Sequence, residues 1–166
     1  MKNPLISYLH DHLAGASYAI DLIESLRDHY NQEPLGQFAA QLHREITEDR
    51  DTLTAMAQRF GTGSSSLKDG AAWLSEKASK VKLQHSDPSG LGTFEALEFL
   101  QIGIYGKLAL WRALSAISGG EVRLTGFDFD DLQSRAQKQI ASVEQHRLAE
   151  ALKIFASETQ VNPSSV

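Results

Sequence analysis

Cysteine is absent from this 166-residue chain, and the sequence has only four prolines, two tryptophans and two methionines. Without cysteine the protein has no disulfides, no thiolate metal ligands and no cysteine nucleophile. The absence fits a reducing compartment, so we expect a cytoplasmic protein.

The sequence also has few positively charged residues relative to acidic ones, and it has no long apolar run. Lysine and arginine total 16 against 21 aspartates and glutamates, which gives a net charge of −5 and no broad basic footprint for a nucleic-acid partner. No stretch approaches the roughly 20 apolar residues that a membrane span needs. At the N-terminus, His10, Asp11 and His12 interrupt the apolar run, which argues against a signal peptide.

Apolar residues recur at helical spacing along the chain, and the alternation typical of strands is missing. The spacing and the capping residues predict long helices A to D. Helix A begins after Asn3 and ends near Tyr30. The others run from Pro34 to Gly61, from about Thr93 to Ile117, and from Asp128 onward.

The connections between these helices predict the architecture. A and B are joined by a few residues and should therefore be antiparallel neighbours, whereas a long crossover separates B from C. Ser66 to Asp69 resembles a capping box that opens a short extra helix through Val81. We predict an all-α, up-down four-helix bundle forming a single domain over residues 1–157, followed by a flexible tail over 158–166.

Four segments carry a family resemblance: "DHLAGA", "REITEDRDTL", "AAWLSEKASKVKL" and "GKLALWRAL". With the crossover topology, they make residues 4–156 resemble the ferritin-like superfamily, and in particular a group of small, poorly characterised bacterial ferritin-like proteins. The resemblance implies a ferritin-like bundle fold. In that superfamily a di-iron site uses a Glu from each of two helices and a Glu-x-x-His pair from each of the other two.

The Glu-x-x-His pattern is missing from this chain. The residues three places before the six histidines are all non-acidic: Ser7, Leu9, Leu26, Ala40, Lys82 and Val143. At the level of the helix midpoints, helix A offers Ala16 and Ser17, and helix C offers Lys107, whose ammonium repels a metal ion. On helices B and D we expect Ile46 to Asp49 and Val143 to Arg147 at this level.

Lys107 follows the inward line of helix C, so its stem is expected to join the core, where a cation needs a partner. Glu45 and Asp49 are the natural candidates, because they lie four residues apart on the inward line of helix B. We therefore predict that an ion-pair network replaces the metal centre. Its members are His12, Glu45, Asp49, Glu98, Lys107 and Arg147. In the simpler alternative, Lys107 extends to water and the charges of helix B form a solvated face.

A metal-binding alternative uses unusual ligands and would take iron or manganese. The main support for this alternative is the i,i+4 spacing of His146 and Glu150, which could share one ion but is also typical of two side chains on a helix surface. The candidate ligands are Glu45, Glu48, Asp49, Glu98, Glu144 and His146. The main prediction has no metal and no other cofactor.

These observations favour a non-catalytic binding or interaction protein, with a homodimer through an exposed helix face as one arrangement. The alternative is a divergent metal-carboxylate oxidoreductase or metal-storage protein. This alternative depends on similarity of fold, and a shared fold does not imply a shared reaction. A third hypothesis is small-molecule binding in an emptied bundle core, which a cavity would support. Trp111 is predicted to pack in the core, with an aromatic or lipid pocket there as the alternative.

Overall fold

The computed structural model describes residues 3–61 and 88–156, and this part of the chain contains α-helices and one 3-10 turn but no strand. The helices are α1 (Pro4–His29), α2 (Pro34–Arg59), α3 (Leu91–Ser118) and α4 (Phe129–Phe155), and the 3-10 turn is Val122–Leu124. The all-α four-helix bundle is thus confirmed. The predicted extra helix after Ser66 and the tail at 158–166 lie outside the described residues.

The helix starts follow the local capping chemistry. The Asn3 side chain accepts a hydrogen bond from the backbone N–H of Leu5 at 3.0 Å, and Pro4 supplies a fixed φ in the first turn. Asp128 caps α4 in the same way by accepting from the N–H of Asp131 at 2.9 Å. Helix α3 starts two residues earlier than the predicted Thr93, after Gly90 at φ +77°.

Contacts at the helix ends establish the directions of the helices. The hydroxyl of Tyr30, after α1, lies 2.6 Å from the hydroxyl of Thr93 at the start of α3. Arg59, the last residue of α2, donates to the carbonyl oxygens of Arg123 and Thr125, just after α3, at 3.1 and 2.8 Å. The C-terminal ends of α2 and α3 therefore share one end of the bundle, so these two helices are parallel. One long crossover between two antiparallel pairs gives this connectivity.

A glycine permits the tight turn between α1 and α2. A Cβ built on Gly36 would lie 2.0 Å from the carbonyl oxygen of Tyr30, a distance at which the backbone would have to move. Gln32, in the same turn, has φ +69°. This close approach sets α1 against α2 as an antiparallel pair.

The core runs through the bundle, and Trp111 of α3 is fully buried within it. Helices α1 and α2 pack along their length, as do α3 and α4, while the two pairs meet more loosely through α1 with α3 and α2 with α4. Helices α2 and α3 are therefore diagonal to each other. A side-chain contact between them passes through the centre of the bundle.

Candidate functional site

A buried ion pair crosses the centre of the bundle between α2 and α3. The Nζ of Lys107 donates to Oδ2 of Asp49 and to Oε1 of Gln139. The side chains of Lys107 and Asp49 are 14% and 2% exposed. A buried charge is tolerated only when it is paired and hydrogen-bonded, and each of these two groups meets that condition through the other.

Residues of α4 complete the surroundings of Asp49. The amide nitrogen of Gln139 donates to Oδ2 of Asp49 at 3.2 Å, and Nη2 of Arg135 lies 3.1 Å from the other carboxylate oxygen, Oδ1. The Arg135 contact is an ion pair without an aligned hydrogen bond, so Oδ1 accepts no hydrogen bond from any described residue. Arg135 also pairs with the exposed Glu48 at 3.0 Å.

Two opposing effects act on the charge of Lys107. Burial lowers the pKa of its ammonium because water no longer solvates the charge, while the carboxylate of Asp49 favours the charged form. Burial is the larger effect, and nearby Arg135 adds to it. Lys107 is therefore an amine whose proton is less tightly held than that of a surface lysine.

The residues predicted for this network fall into two separate groups. The backbone of Glu45 lies beside the ion pair, since its carbonyl oxygen is 3.5 Å from Nη2 of Arg135, but its carboxylate accepts a hydrogen bond from Gln41 at 2.7 Å. Arg147, however, pairs with Glu98 at 3.2 Å and with Glu144 at 2.7 Å. Because Arg147 follows Gln139 by eight residues, it lies about 12 Å further along α4 and belongs to a second ion-pair group.

The prediction that Val143 to Arg147 of helix D lie level with Asp49 and Lys107 is also wrong. Asp49 and Lys107 lie just past the midpoints of the parallel helices α2 and α3. Since α4 runs the opposite way, the residue facing them lies before its midpoint, at Gln139 rather than between Val143 and Arg147.

Gln139 and Arg135 were not among the residues predicted from the sequence. The signal was nevertheless present, because Gln139 lies three residues after Ala136 and four before Val143, both of which are inward-facing and buried. Arg135 lies one turn before Gln139 on the same side of the helix. A glutamine on a core-facing line of a helix indicates a polar partner inside the bundle.

The residues proposed as metal ligands do not form a metal site. Glu45, Glu48 and Asp49 lie beside two cations, Lys107 and Arg135. Glu98 and Glu144 pair with Arg147, and the ring of His146 stacks on Phe38 at 3.9 Å between centroids. Within residues 3–61 and 88–156, no group of three or more histidine or carboxylate side chains is arranged to hold a metal ion. The donor set therefore does not fit iron or manganese.

A cavity of about 250 Å³ lies next to the ion pair, between α1, α2 and α3. Its polar lining comes from His12, Tyr18, Asp49, Arg50 and Lys107. The rest of the wall is mainly apolar and includes Leu22, Ile46, Leu53, Leu100, Ile104 and Trp111. Exposed Phe99 and Ile102 also line the cavity, which therefore reaches the surface between α1 and α3.

Small residues create this space. Gly15, Ala16 and Ala19 of α1 and Gly103 of α3 line the cavity. A Cβ added at Gly15 or Gly103 would meet no atom within 4 Å. The stretch of α1 with small residues near its midpoint is therefore one wall of a cavity.

His12 lines this cavity together with Asp49 and Lys107. Its ring packs edge-on against Tyr8, with 4.7 Å between centroids. Burial lowers the pKa of the His12 imidazole, and the weaker opposing effect comes from Asp11. The neutral ring is thus favoured, which suits a cavity with mainly apolar walls.

Comparisons with protein-family models, with curated proteins and with solved structures give no match to this chain. Across the described residues, none of the helices has a stretch that is both long and hydrophobic enough to span a bilayer. The arrangement of the ion pair and the cavity is thus the basis for assigning a function.

Proposed function

We propose that this protein is a non-catalytic binding protein, in which the ion pair of Asp49 and Lys107 holds the bundle centre and the adjacent cavity takes a small, largely apolar molecule. The observation that carries the proposal is the cavity of about 250 Å³, with its apolar walls and its polar end at Lys107. Pockets that bind small molecules share this combination of apolar walls and a few polar groups.

The volume sets the size of the part of a ligand that the cavity encloses. An apolar cavity of about 150 Å³ holds benzene, which has six non-hydrogen atoms, and drug-sized pockets start at about 300 Å³. Scaling from benzene, 250 Å³ corresponds to a ligand of about ten non-hydrogen atoms. This is the size of a substituted benzene or a short aliphatic chain.

The pairing of the charged groups supports binding rather than catalysis. Asp49 is held by Lys107, Arg135 and Gln139, and Arg50 pairs with Asp51 at 2.8 Å. A general base must reach the proton that it removes, and Asp49, at 2% exposure, is covered by its own partners. Four of the carboxylates that a metal-dependent oxidoreductase would use are paired with arginine or lysine, namely Glu48, Asp49, Glu98 and Glu144, while Glu45 accepts a hydrogen bond from Gln41 at 2.7 Å.

The ferritin-like relationship, a cytoplasmic location and a homodimer belong to the same proposal. The parallel α2 and α3 support the relationship, because ferritin-like bundles also contain one long crossover. Exposed Phe99, Ile102 and Tyr105 on α3 support association of two copies. Sedimentation of the Ile102→Asp variant checks this, since loss of a dimer is expected and an unchanged mass would argue against that face.

A matched pair of glycine substitutions tests ligand binding. Gly103→Leu adds a side chain at a residue of the cavity wall, whereas Gly106→Leu, on the same helix, adds one outside the lining residues. With propylbenzene as the probe, we expect saturable binding to the unsubstituted protein and to Gly106→Leu, and its loss in Gly103→Leu. If propylbenzene binds Gly103→Leu as well as it binds the unsubstituted protein, the cavity is not the site.

A further inference from the structure

The charged groups that remain accessible at the cavity are cations, while His12 and Tyr18 contribute neutral polar side chains. Asp49, the carboxylate in the lining, is 2% exposed and is covered by Lys107, Gln139 and Arg135. The side chains of Lys107 and Arg50 retain 14% and 35% exposure. The charged groups that a ligand can reach are therefore cations, and the one anion lies behind them.

Both cations have donors left for a ligand. An ammonium has three N–H donors, and Lys107 uses two of them on Asp49 and Gln139. A guanidinium has five, and Arg50 directs Nε and Nη2 to Asp51, which leaves Nη1 outside these bonds. The polar end of the cavity thus presents hydrogen-bond donors on positively charged groups.

The walls near this end are apolar, which strengthens the interaction of a ligand acceptor with these donors. Ile46, Leu53 and Ile104 line the cavity together with Lys107. Electrostatic interactions are stronger in such surroundings than in water, and charge-assisted hydrogen bonds are about twice as strong as neutral ones. A cationic ligand group would instead be repelled by Lys107 and Arg50.

Resting on the binding function proposed above, we propose that the ligand is a small apolar carboxylic acid of about ten non-hydrogen atoms, bound as its carboxylate, with its apolar body between α1 and α3 and its oxygens on Nζ of Lys107 and Nη1 of Arg50. The acid uses the third N–H of Lys107 and an N–H of Nη1 on Arg50 without disturbing Asp49. The apolar body occupies the space left by the glycines of both helices.

Three probes with one carbon framework test this assignment by calorimetry. They are 3-phenylpropanoate, propylbenzene, in which a methyl replaces the carboxylate, and 3-phenylpropylamine, which carries the opposite charge. We expect the acid to bind about tenfold or more tightly than propylbenzene, as one charge-assisted hydrogen bond supports. The amine should bind more weakly than propylbenzene. Trp111, which lines the cavity, gives a second readout by fluorescence once Trp73→Phe leaves it as the remaining tryptophan.

Variants separate the polar end from the cavity itself. Arg50→Met should weaken the acid about tenfold more than it weakens propylbenzene, because Arg50 is partly exposed and its loss leaves no buried charge unpaired. The double variant Asp49→Leu/Lys107→Met removes the buried pair together, and it should lose the preference for the acid over propylbenzene.

The outcomes distinguish the two proposals. If propylbenzene and the acid bind equally, or if the amine binds as tightly as the acid, the carboxylate assignment is wrong while the binding function stands. The same conclusion follows if Arg50→Met leaves acid binding unchanged. If no probe binds, or if Gly103→Leu retains all binding, the binding function itself is wrong and the carboxylate assignment fails with it.

Discussion

Replacing Lys107 by methionine tests whether the ammonium is a structural partner of Asp49. Methionine retains an unbranched stem of similar length but removes the charge. Asp49, at 2% exposure, would then face Arg135 at 3.1 Å and the amide of Gln139 at 3.2 Å without its main partner. A buried carboxylate that loses a partner destabilises the folded state, because it was desolvated on folding and is no longer fully compensated.

The size of the effect follows from this geometry. Breaking a buried ion pair from one side typically costs about 3–5 kcal/mol. Because Arg135 remains in place, we expect a loss near the lower end, about 3 kcal/mol in the free energy of unfolding. For a domain of this length, each kcal/mol corresponds to a change in Tm of about 2–4 °C, so Tm should fall by about 6–12 °C.

A double-mutant cycle shows whether the loss comes from the pair. In Asp49→Leu/Lys107→Met both charges are replaced by apolar groups, and removing both partners of a buried pair is often neutral or stabilising. Because the buried amide of Gln139 loses both of its partners in this variant, we expect it to be about 1–3 kcal/mol less stable than the unsubstituted protein, with a coupling energy of at least about 2 kcal/mol.

Urea unfolding followed by circular dichroism at pH 7 measures these free energies, with a common slope required for the comparison. Lys138→Met, on the exposed side of α4, is the matched control and should change stability by less than about 0.5 kcal/mol. If Lys107→Met behaves like this control, the ammonium extends to water and the network account is wrong.

Three further predictions concern other parts of the bundle. Because burial lowers the folded-state pKa of His12, its neutral form stabilises the fold above the unfolded pKa near 6.5. That contribution is lost as the pH falls through the folded pKa of His12. In the His12→Gln variant, the free energy of unfolding should therefore decline less between about pH 7 and 5 than in the unsubstituted protein. An equal decline in the variant and the unsubstituted protein would contradict this. Arg59→Met removes two hydrogen bonds to carbonyls after α3 and should cost about 1–2 kcal/mol in chemical denaturation, whereas no loss would question the shared end of α2 and α3. Gly36→Ala brings a Cβ against the Tyr30 carbonyl and should lower the free energy of unfolding by about 1–3 kcal/mol or more, with a lower Tm. Gly103→Ala meets no such atom and should raise the free energy of unfolding by about 0.5–1 kcal/mol. The reverse order of stabilities would rule out the described packing.

Local chemistry accounts for the helix boundaries that the sequence predicts well. Asn3 with Pro4, and Asp128 at α4, act within a few residues of their own position, so their pattern is visible without knowledge of the fold. The same kind of local pattern predicts Thr93 at the start of α3. Instead Thr93 lies inside the helix and is buried. Its hydroxyl is hydrogen-bonded to that of Tyr30, which is 63 residues away in the chain and therefore not part of any local pattern.

The candidate site was predictable to the extent that it depends on helix periodicity. The inward lines of helices B and C identify Asp49 and Lys107, and these two residues do lie together. Their partners on α4 depend on the relative level of antiparallel helices, and an error of about two turns exchanged Gln139 for Arg147. The cavity depends on the separation of α1 and α3, a quantity that periodicity does not contain.

The ion pair and the cavity are related by their effect on stability. A bundle that filled its centre with leucine and isoleucine would avoid the desolvation of Asp49 and Lys107, and it would regain the dispersion attraction that is missing around Gly15 and Gly103. Here the ion pair adjoins the open space, so that cations line one end of it and apolar side chains line the rest. An apolar cavity alone would bind a ligand without fixing its orientation. A buried ion pair alone could orient a polar group but would leave no space for the ligand. The combination supports recognition of a ligand with one polar end, which is why the comparison of acid, hydrocarbon and amine addresses the function more directly than stability measurements do.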